Sequence, residues 1–127
     1  MKIYRTKPFT RLARKADLKD EFICQAVNEM NQGLIDASLG SGLFKKRIAM
    51  PGRGKSGSWR TLLGFQSGRR AFFLYVFPKS NQENIQAYEL KGLKRLAKFY
   101  ISLQPTDIQT ALEKNELYEV KCDENQR

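Results

Sequence analysis

The segment Leu43–Lys79 constrains the fold most, because it predicts three strands in immediate succession. Its last part, RAFFLYVF at Arg70–Phe77, is the most apolar run of the chain and is rich in aromatic residues, which is typical of a central strand. The glycine-rich loop MPGRGKSGS and the tight turn QSGR separate the three strands. Strands connected in this way predict an antiparallel meander.

Helical patterns flank this block of strands on both sides. Before it, apolar residues at every fourth position predict a helix over residues 17–32. The other predicted elements are a strand at 2–6, a helical segment at 8–16, helices at about 84–101 and 105–112, and an edge strand at 117–120. This order predicts the α+β class: a small twisted antiparallel sheet with helices packed on one face and the other face open to solvent.

The 127 residues predict a single domain over 1–127, with a frayed end at 121–127. There is no apolar run long enough for a membrane helix, and the N-terminal residues lack the apolar core of a signal peptide, so we expect a cytoplasmic protein with no membrane partner. Cys24 and Cys122 are far apart and lack metal or redox spacing. The sequence therefore predicts two free thiols, which suits a reducing cytoplasm.

The chain contains no histidine, and this limits its chemistry. Ser-His-Asp and Cys-His catalysis are excluded, and no metal or other cofactor is predicted. The residues Gly54-Lys55-Ser56 match the end of a nucleotide-binding P-loop, but Ala49 stands where that motif requires glycine, and a strand follows instead of a helix. Nucleotide hydrolysis and a small-molecule substrate are therefore not predicted.

Positive charge is concentrated in Leu43–Lys79, which holds nine Lys/Arg, and no Asp or Glu occurs between Ala37 and Gln82. The rest of the chain has 14 cations against 13 anions. A solvated sheet face that keeps the protein soluble is one explanation. Clustering of like charges costs stability, however, so a polyanionic ligand is the favoured explanation. The basic side of the later helix is predicted to be solvated surface; it comprises Lys91, Lys94, Arg95 and Lys98.

Alternation along the first strand separates its three adjacent cations. Lys45 and Arg47 share one face, whereas Lys46 points to the other. The apolar Phe44 and Ile48 share the side of Lys46. The pattern therefore favours Lys45 and Arg47 on the exposed face.

Side chains of these types can cleave RNA without histidine, through attack of the 2′-OH on the adjacent phosphate. A lysine among other cations loses its proton more readily and can act as the base. Arginine stays charged and can hold phosphate oxygens through paired hydrogen bonds. Trp59, Tyr75 and Phe77 are candidates to stack a base, although the pattern favours packing in the core for each of them.

The combination FKKRIAMPGRGKSGSWRTLLGF followed by GRRAFFLYVFPKSNQENI resembles the RelE/HigB-type toxins of bacterial type II toxin–antitoxin systems. The similarity spans residues 40–101. It implies a RelE-like fold, a ribosome-dependent mRNA endonuclease that inhibits growth, and inhibition by a cognate antitoxin of the helix-turn-helix type that wraps or covers the basic face. A basic face that serves chiefly to bind an acidic antitoxin segment is a further alternative. ParE-type relatives share the fold but act on gyrase. A non-catalytic nucleic-acid-binding or gyrase-directed toxin therefore remains the alternative.

The resemblance also implies roles for individual residues. Lys45, Lys46 and Arg47 match the position of the family's base-like cations, Arg60 matches its phosphate-stabilising arginine, and Lys79 its basic residues after the third strand. Ser80 stands where many relatives have an arginine acting as general acid, and Tyr88 is not a secure match to their late tyrosine. The acid therefore stays open, with Arg53, Lys55 or Lys79 as alternatives. The predicted nucleic-acid contacts are Arg53, Lys55, Trp59, Arg69, Arg70 and Tyr75.

Overall fold

A computed structural model describes residues 1–52, 57–78 and 87–122. The elements in chain order are β1 (Lys2–Thr6), α1 (Lys7–Lys15), α2 (Asp20–Asn31), β2 (Ala37–Gly40), β3 (Leu43–Ala49), β4 (Ser58–Gln66), β5 (Arg70–Pro78), α3 (Ala87–Ile101), α4 (Pro105–Glu113) and β6 (Leu117–Val120). Within the described ranges, no helix has both the length and the apolar character needed to cross a bilayer.

The six strands form one sheet in the order β2-β3-β4-β5-β1-β6. The β3–β4 and β4–β5 pairs are antiparallel, which confirms the predicted meander. The first strand of the chain lies parallel to β5 and antiparallel to β6. The α+β class and the mostly antiparallel sheet are therefore confirmed.

Helices cover both faces of the sheet, so the prediction of helices on one face only was wrong. On the first face, α1 and α2 enclose a core that contains Phe9, Ile23 and Phe73. On the second face, α3 and α4 enclose a core that contains Phe72 and Ala97. Consecutive residues of β5 are buried because a central strand with helices on both faces has no wet side. The continuous apolar run RAFFLYVF is the sequence signature of that arrangement.

The strand β2 was not predicted, because its residues ASLG are turn-like. It pairs with β3 through a tight connection in which Gly40, Ser41 and Gly42 all have positive φ. Glycine adopts this backbone conformation without steric cost, which is why the sequence predicts a turn here. The short strand before the turn has no such signal in the sequence.

Cys24 and Cys122 form a disulfide across 98 residues of sequence, with their Cα atoms 5.8 Å apart. The prediction of two free thiols was therefore wrong. The spacing of the two cysteines in the sequence does not predict this bond, because the bond depends on tertiary structure. It requires β6 to pair with β1, and α2 to pack over the same part of the sheet. Cys122 also belongs to the segment that was predicted to fray. The rest of that segment, residues 123–127, lies outside the described residues.

Candidate nucleic-acid interface

The meander brings two of the predicted cations into direct opposition. In the β3–β4 pairing Arg47 lies opposite Arg60, and in the β4–β5 pairing Arg60 lies opposite Phe77. Directly paired residues are about 5 Å apart at Cα and point to the same face. The two arginine side chains therefore leave the sheet next to each other on its α3 side, near the start of β4 and away from Gly64, which α3 contacts.

The neighbouring row of the sheet adds a third cation and an aromatic side chain. Lys45 lies opposite Leu62, which in turn lies opposite Tyr75. Leu62 is buried in the second core, which fixes the face on which the row lies. We call the group formed by the two rows the cationic face; it comprises Lys45, Arg47, Arg60 and Tyr75.

The cationic face is accessible to a ligand. Arg47 is exposed, and Lys45, Arg60 and Tyr75 are half-buried. Phe77 is only 8 % exposed, so it forms the floor beside Arg60 and does not offer a free ring for stacking. Of the three candidate aromatic residues, Tyr75 is therefore the one that is partly exposed on this face.

A β-bulge in β5 determines which of its side chains reach this face. Leu62 pairs with Tyr75 and Leu63 pairs with Phe73, so Leu74 has no opposite partner. The extra residue reverses the alternation, which places both Leu74 and Tyr75 against the second core. Without the bulge, Tyr75 would point to the α2 side. Strict alternation from the sequence does not reveal this change.

The lysine between the two site cations belongs to the opposite face, as its alternation predicted. Lys46 is 6 % exposed, and its Nζ donates to Glu29 Oε1 at 2.8 Å and to the Leu34 carbonyl oxygen at 3.0 Å. Its inclusion among the catalytic candidates is therefore corrected: Lys46 anchors β3 to α2 and the turn that follows it.

Two polar contacts that the sequence did not predict support β3 beside the site. The buried Thr61 hydroxyl donates to the Lys46 carbonyl oxygen at 2.8 Å, which ties β3 to β4 next to the Arg47–Arg60 pair. The Asp36 carboxylate accepts a hydrogen bond from the Arg47 backbone N–H. Asp36 stands immediately before the acid-free stretch in the sequence, and the β2–β3 hairpin brings it back to the edge of that stretch.

Trp59 is a core residue, which corrects its prediction as a nucleic-acid contact. Its ring is 4 % exposed, packs against Phe22 and donates from Nε1 to the Ala16 carbonyl oxygen at 2.8 Å. It belongs to the first core, on the face opposite its neighbour Arg60. The same alternation that exposes Arg60 buries Trp59.

The two arginines of the β4–β5 turn do not join the cationic face. Arg70 donates to the carbonyl oxygens of Ile101 at 2.6 Å and Leu103 at 2.9 Å, so it holds the C-terminal end of α3, where a cation also complements the helix dipole. Its prediction as a nucleic-acid contact is corrected. Arg69 is exposed in the turn. From the rise per residue of a β-strand, it lies about 20 Å from Arg60 along β4.

Several predicted site residues lie outside the described part of the chain. They are Arg53, Lys55, Lys79 and Ser80; Tyr88 lies in α3, but its side chain is not described. In the ranges that are described, no group of three Cys, Asp or Glu side chains comes together to hold a metal ion.

The Lys46–Glu29 pair makes the stability of this region dependent on pH. The Lys46 hydrogen bond lowers the pKa of Glu29 below its ordinary value of 4.5, against the opposing effect of burial. Because the pKa of Glu29 is lower in the folded chain than in the unfolded chain, its contribution is complete above about pH 4.5 and is lost as the pH falls through the lowered value.

We therefore expect the free energy of unfolding to fall more steeply below about pH 4.5 in the wild-type chain than in Glu29→Gln. Urea unfolding between about pH 3 and pH 6 measures both slopes. Glu21→Gln, the same substitution at an exposed carboxylate in the first turn of α2, is the matched control. Parallel curves for wild type and Glu29→Gln would contradict the assigned role of the pair.

The sheet and its cationic face define a histidine-free α+β domain suited to a polyanionic ligand. A protein-family model, described as the RelE toxin of the RelE/RelB toxin–antitoxin system, matches residues 1–120. The chain therefore belongs to the RelE toxin family, as its sequence resemblance implied, and its fold is RelE-like. A comparison with curated proteins gave no match. Family membership makes this chain a toxin of a toxin–antitoxin system, with a cognate antitoxin as its partner.

Proposed function

We propose that this toxin is a ribosome-dependent mRNA endonuclease and that the cationic face is its active site. The observation that carries the proposal is the direct opposition of Arg47 and Arg60, with Lys45 in the adjacent row of the same face. Two arginines on directly paired residues of neighbouring strands suit a phosphate, which each guanidinium can contact through charged hydrogen bonds.

In the proposed reaction, the 2′-oxygen attacks the adjacent phosphorus while Lys45 accepts the 2′-OH proton. Arg47 and Arg60 bind the non-bridging oxygens, where negative charge increases in the transition state. The bond from phosphorus to the 5′-oxygen breaks, and that oxygen takes up a proton. The products are a 2′,3′-cyclic phosphate and a 5′-hydroxyl. Tyr75 stacks on a base beside the cleaved bond.

The proton donor of the proposed reaction is assigned from the sequence, because Lys79 lies outside the described residues. Lys79 follows the end of β5, which carries Tyr75 and Phe77 to the cationic face. We assign proton donation to Lys79, since Ser80 stands where many relatives have an arginine. Lys79→Gln is then expected to slow cleavage at neutral pH, whereas Ser80→Ala is expected to have little effect.

Primer extension on cellular mRNA after induction of the chain tests the proposed reaction. Discrete cuts that disappear when the start codon of the reporter mRNA is removed would support ribosome-dependent cleavage. Growth arrest without cuts would contradict it and favour the alternative, a non-catalytic or gyrase-directed toxin. Inhibition of purified gyrase by the chain then identifies the second of these.

We further propose that the toxin acts in the cytoplasm, where mRNA and ribosomes are. Thiols are kept reduced there, so the Cys24–Cys122 bond would be open in the cell. Neither cysteine touches the cationic face: Cys24 lies on α2, on the other side of the sheet.

Cys24→Ser is therefore expected to arrest growth as fully as the wild-type chain does. Growth curves after matched induction, with protein levels checked by immunoblot, measure the effect. Cys122→Ser serves as the second variant, since either substitution prevents the bond. Loss of toxicity at equal protein level in both variants would contradict cytoplasmic action of the reduced form.

A further inference from the structure

The outer side of α3 carries apolar surface that the sheet does not use. Leu96 is 44 % exposed and Phe99 is 55 % exposed. Gly92 lies one turn before Leu96, and a Cβ added there would have no neighbour within 4 Å. Positions 92, 96 and 99 follow the i, i+4, i+7 spacing that lines one side of a helix. We call these three residues the apolar stripe.

The fold of the domain does not need this stripe. The opposite side of α3 packs on the sheet, where Ala97 is fully buried against Gly64, and Leu93 and Tyr100 pack into the second core. Phe99 touches that core only through an edge-on contact with the Tyr100 ring, and most of its surface stays exposed. Large apolar side chains exposed in this way cost hydrophobic free energy unless a partner covers them.

A second stripe of the same spacing runs beside the first. Lys91, Arg95 and Lys98 are all exposed and lie one position before Gly92, Leu96 and Phe99, respectively. We call them the basic stripe. The outer side of α3 is thus divided lengthwise into an apolar half and a cationic half.

We propose that the two stripes together bind an acidic amphipathic helix of the cognate antitoxin. Helices with apolar residues at i, i+4 and i+7 dock along a matching stripe, and acidic side chains on the flank of such a helix would lie beside the basic stripe. Gly92 leaves room for a large side chain of the partner. The proposal rests on the antitoxin partner that family membership implies, and does not require RNA cleavage.

Two other occupants fit this surface less well. RNA would pair with the basic stripe and could stack a base on Phe99, but Leu96 offers a base neither a hydrogen bond nor a ring, so RNA would use only part of the apolar stripe. A second copy of the chain, docked symmetrically through Phe99, would bring two basic stripes together, which like-charge repulsion opposes.

Binding of the purified full chain to the small neighbouring-gene product that restores growth tests the proposal. All toxin samples carry Arg60→Ala so that they can be produced without the antitoxin. The double variant Leu96→Gln/Phe99→Gln is expected to bind about 30- to 100-fold more weakly by biolayer interferometry. Leu34→Gln, which replaces a 56 % exposed leucine between α2 and β2, is the matched control and is expected to bind normally.

Charge is tested separately. Arg95→Glu/Lys98→Glu is expected to bind at least about 10-fold more weakly, and wild-type binding is expected to weaken as salt rises from about 0.1 M to 0.5 M. Circular dichroism spectra and melting curves confirm that each variant is folded; the single variant Leu96→Gln replaces the double one if the latter unfolds.

Wild-type affinity in the folded Leu96/Phe99 variant would overturn the proposal. So would binding that is independent of salt, or sedimentation showing that the chain alone dimerises through these residues. Failure of the endonuclease proposal is visible elsewhere, as absence of mRNA cuts by the chain without Arg60→Ala. If Arg60→Ala stays toxic for that reason, each variant is co-expressed with the gene product, separated from it under denaturing conditions and refolded, and the binding experiment proceeds unchanged.

Discussion

Replacing Arg60 with alanine is expected to lower the rate of mRNA cleavage about 100- to 1000-fold, the usual cost of removing one donor to transition-state charge. Lys45→Ala is expected to lower it about 100- to 10,000-fold, because the 2′-OH loses its proton acceptor. Both effects follow from the position of these side chains on one face of β3 and β4. Single-turnover cleavage of mRNA on purified ribosomes measures the rates, and relief of growth arrest follows from them.

Arg69→Ala is the matched control for these two variants. It removes a cation that is exposed in the β4–β5 turn and remote from the Arg47–Arg60 pair. The same loss of net charge should therefore leave cleavage nearly unchanged. If Arg60→Ala or Lys45→Ala stayed fully toxic, the role assigned to that residue would be wrong. An equal loss in Arg69→Ala would show that the toxin depends on total charge and not on the cationic face.

Lys46→Ala is expected to lower the free energy of unfolding by about 2–3 kcal/mol. The substitution removes a buried ammonium that donates to the Leu34 carbonyl oxygen and pairs with Glu29, and it leaves both oxygens without this donor. Part of the cost is recovered because the Glu29 side chain is 36 % exposed and can bind water. Urea unfolding followed by circular dichroism measures the change.

Lys45→Ala is the control for Lys46→Ala. Lys45→Ala should impair cleavage and leave stability nearly unchanged, whereas Lys46→Ala should lower stability. Lys45→Ala removes a half-buried side chain on the other face and is expected to cost less than about 1 kcal/mol, although it abolishes most cleavage. Lys46→Met keeps the aliphatic volume, so its folded fraction is expected to cleave mRNA at the wild-type rate per molecule. A folded Lys46→Met that cleaved as slowly as Lys45→Ala would make Lys46 the catalytic lysine instead.

The two proposals place two tasks on separate surfaces of one small domain. In them, substrate phosphate binds Arg47 and Arg60 on the sheet, whereas the antitoxin helix binds the outer side of α3, which packs on the sheet at Gly64. An antitoxin bound at α3 could block access of the cationic face to the ribosome by its bulk, without occupying the phosphate site.

Much of the candidate site was predictable because it depends on local periodicity. The alternation of Phe44, Lys46 and Ile48 correctly placed Lys46 away from Lys45 and Arg47, since successive side chains of a strand must point to opposite faces. The absence of Asp and Glu across residues 37–82 likewise predicts, from composition alone, that this segment binds a polyanion. Arg70 was misassigned because its charge, which suggested a ligand, in fact satisfies the carbonyl groups at the end of α3.

The sequence by itself determined the helices and most strands, the concentration of positive charge between Leu43 and Lys79, and membership of a toxin family. Each of these depends on residues that are close along the chain. Only the tertiary structure decided that helices cover both faces, that a bulge turns Tyr75 toward the cationic face, and that Cys24 meets Cys122. Such features depend on contacts between distant segments, whose energies no local pattern of residues records.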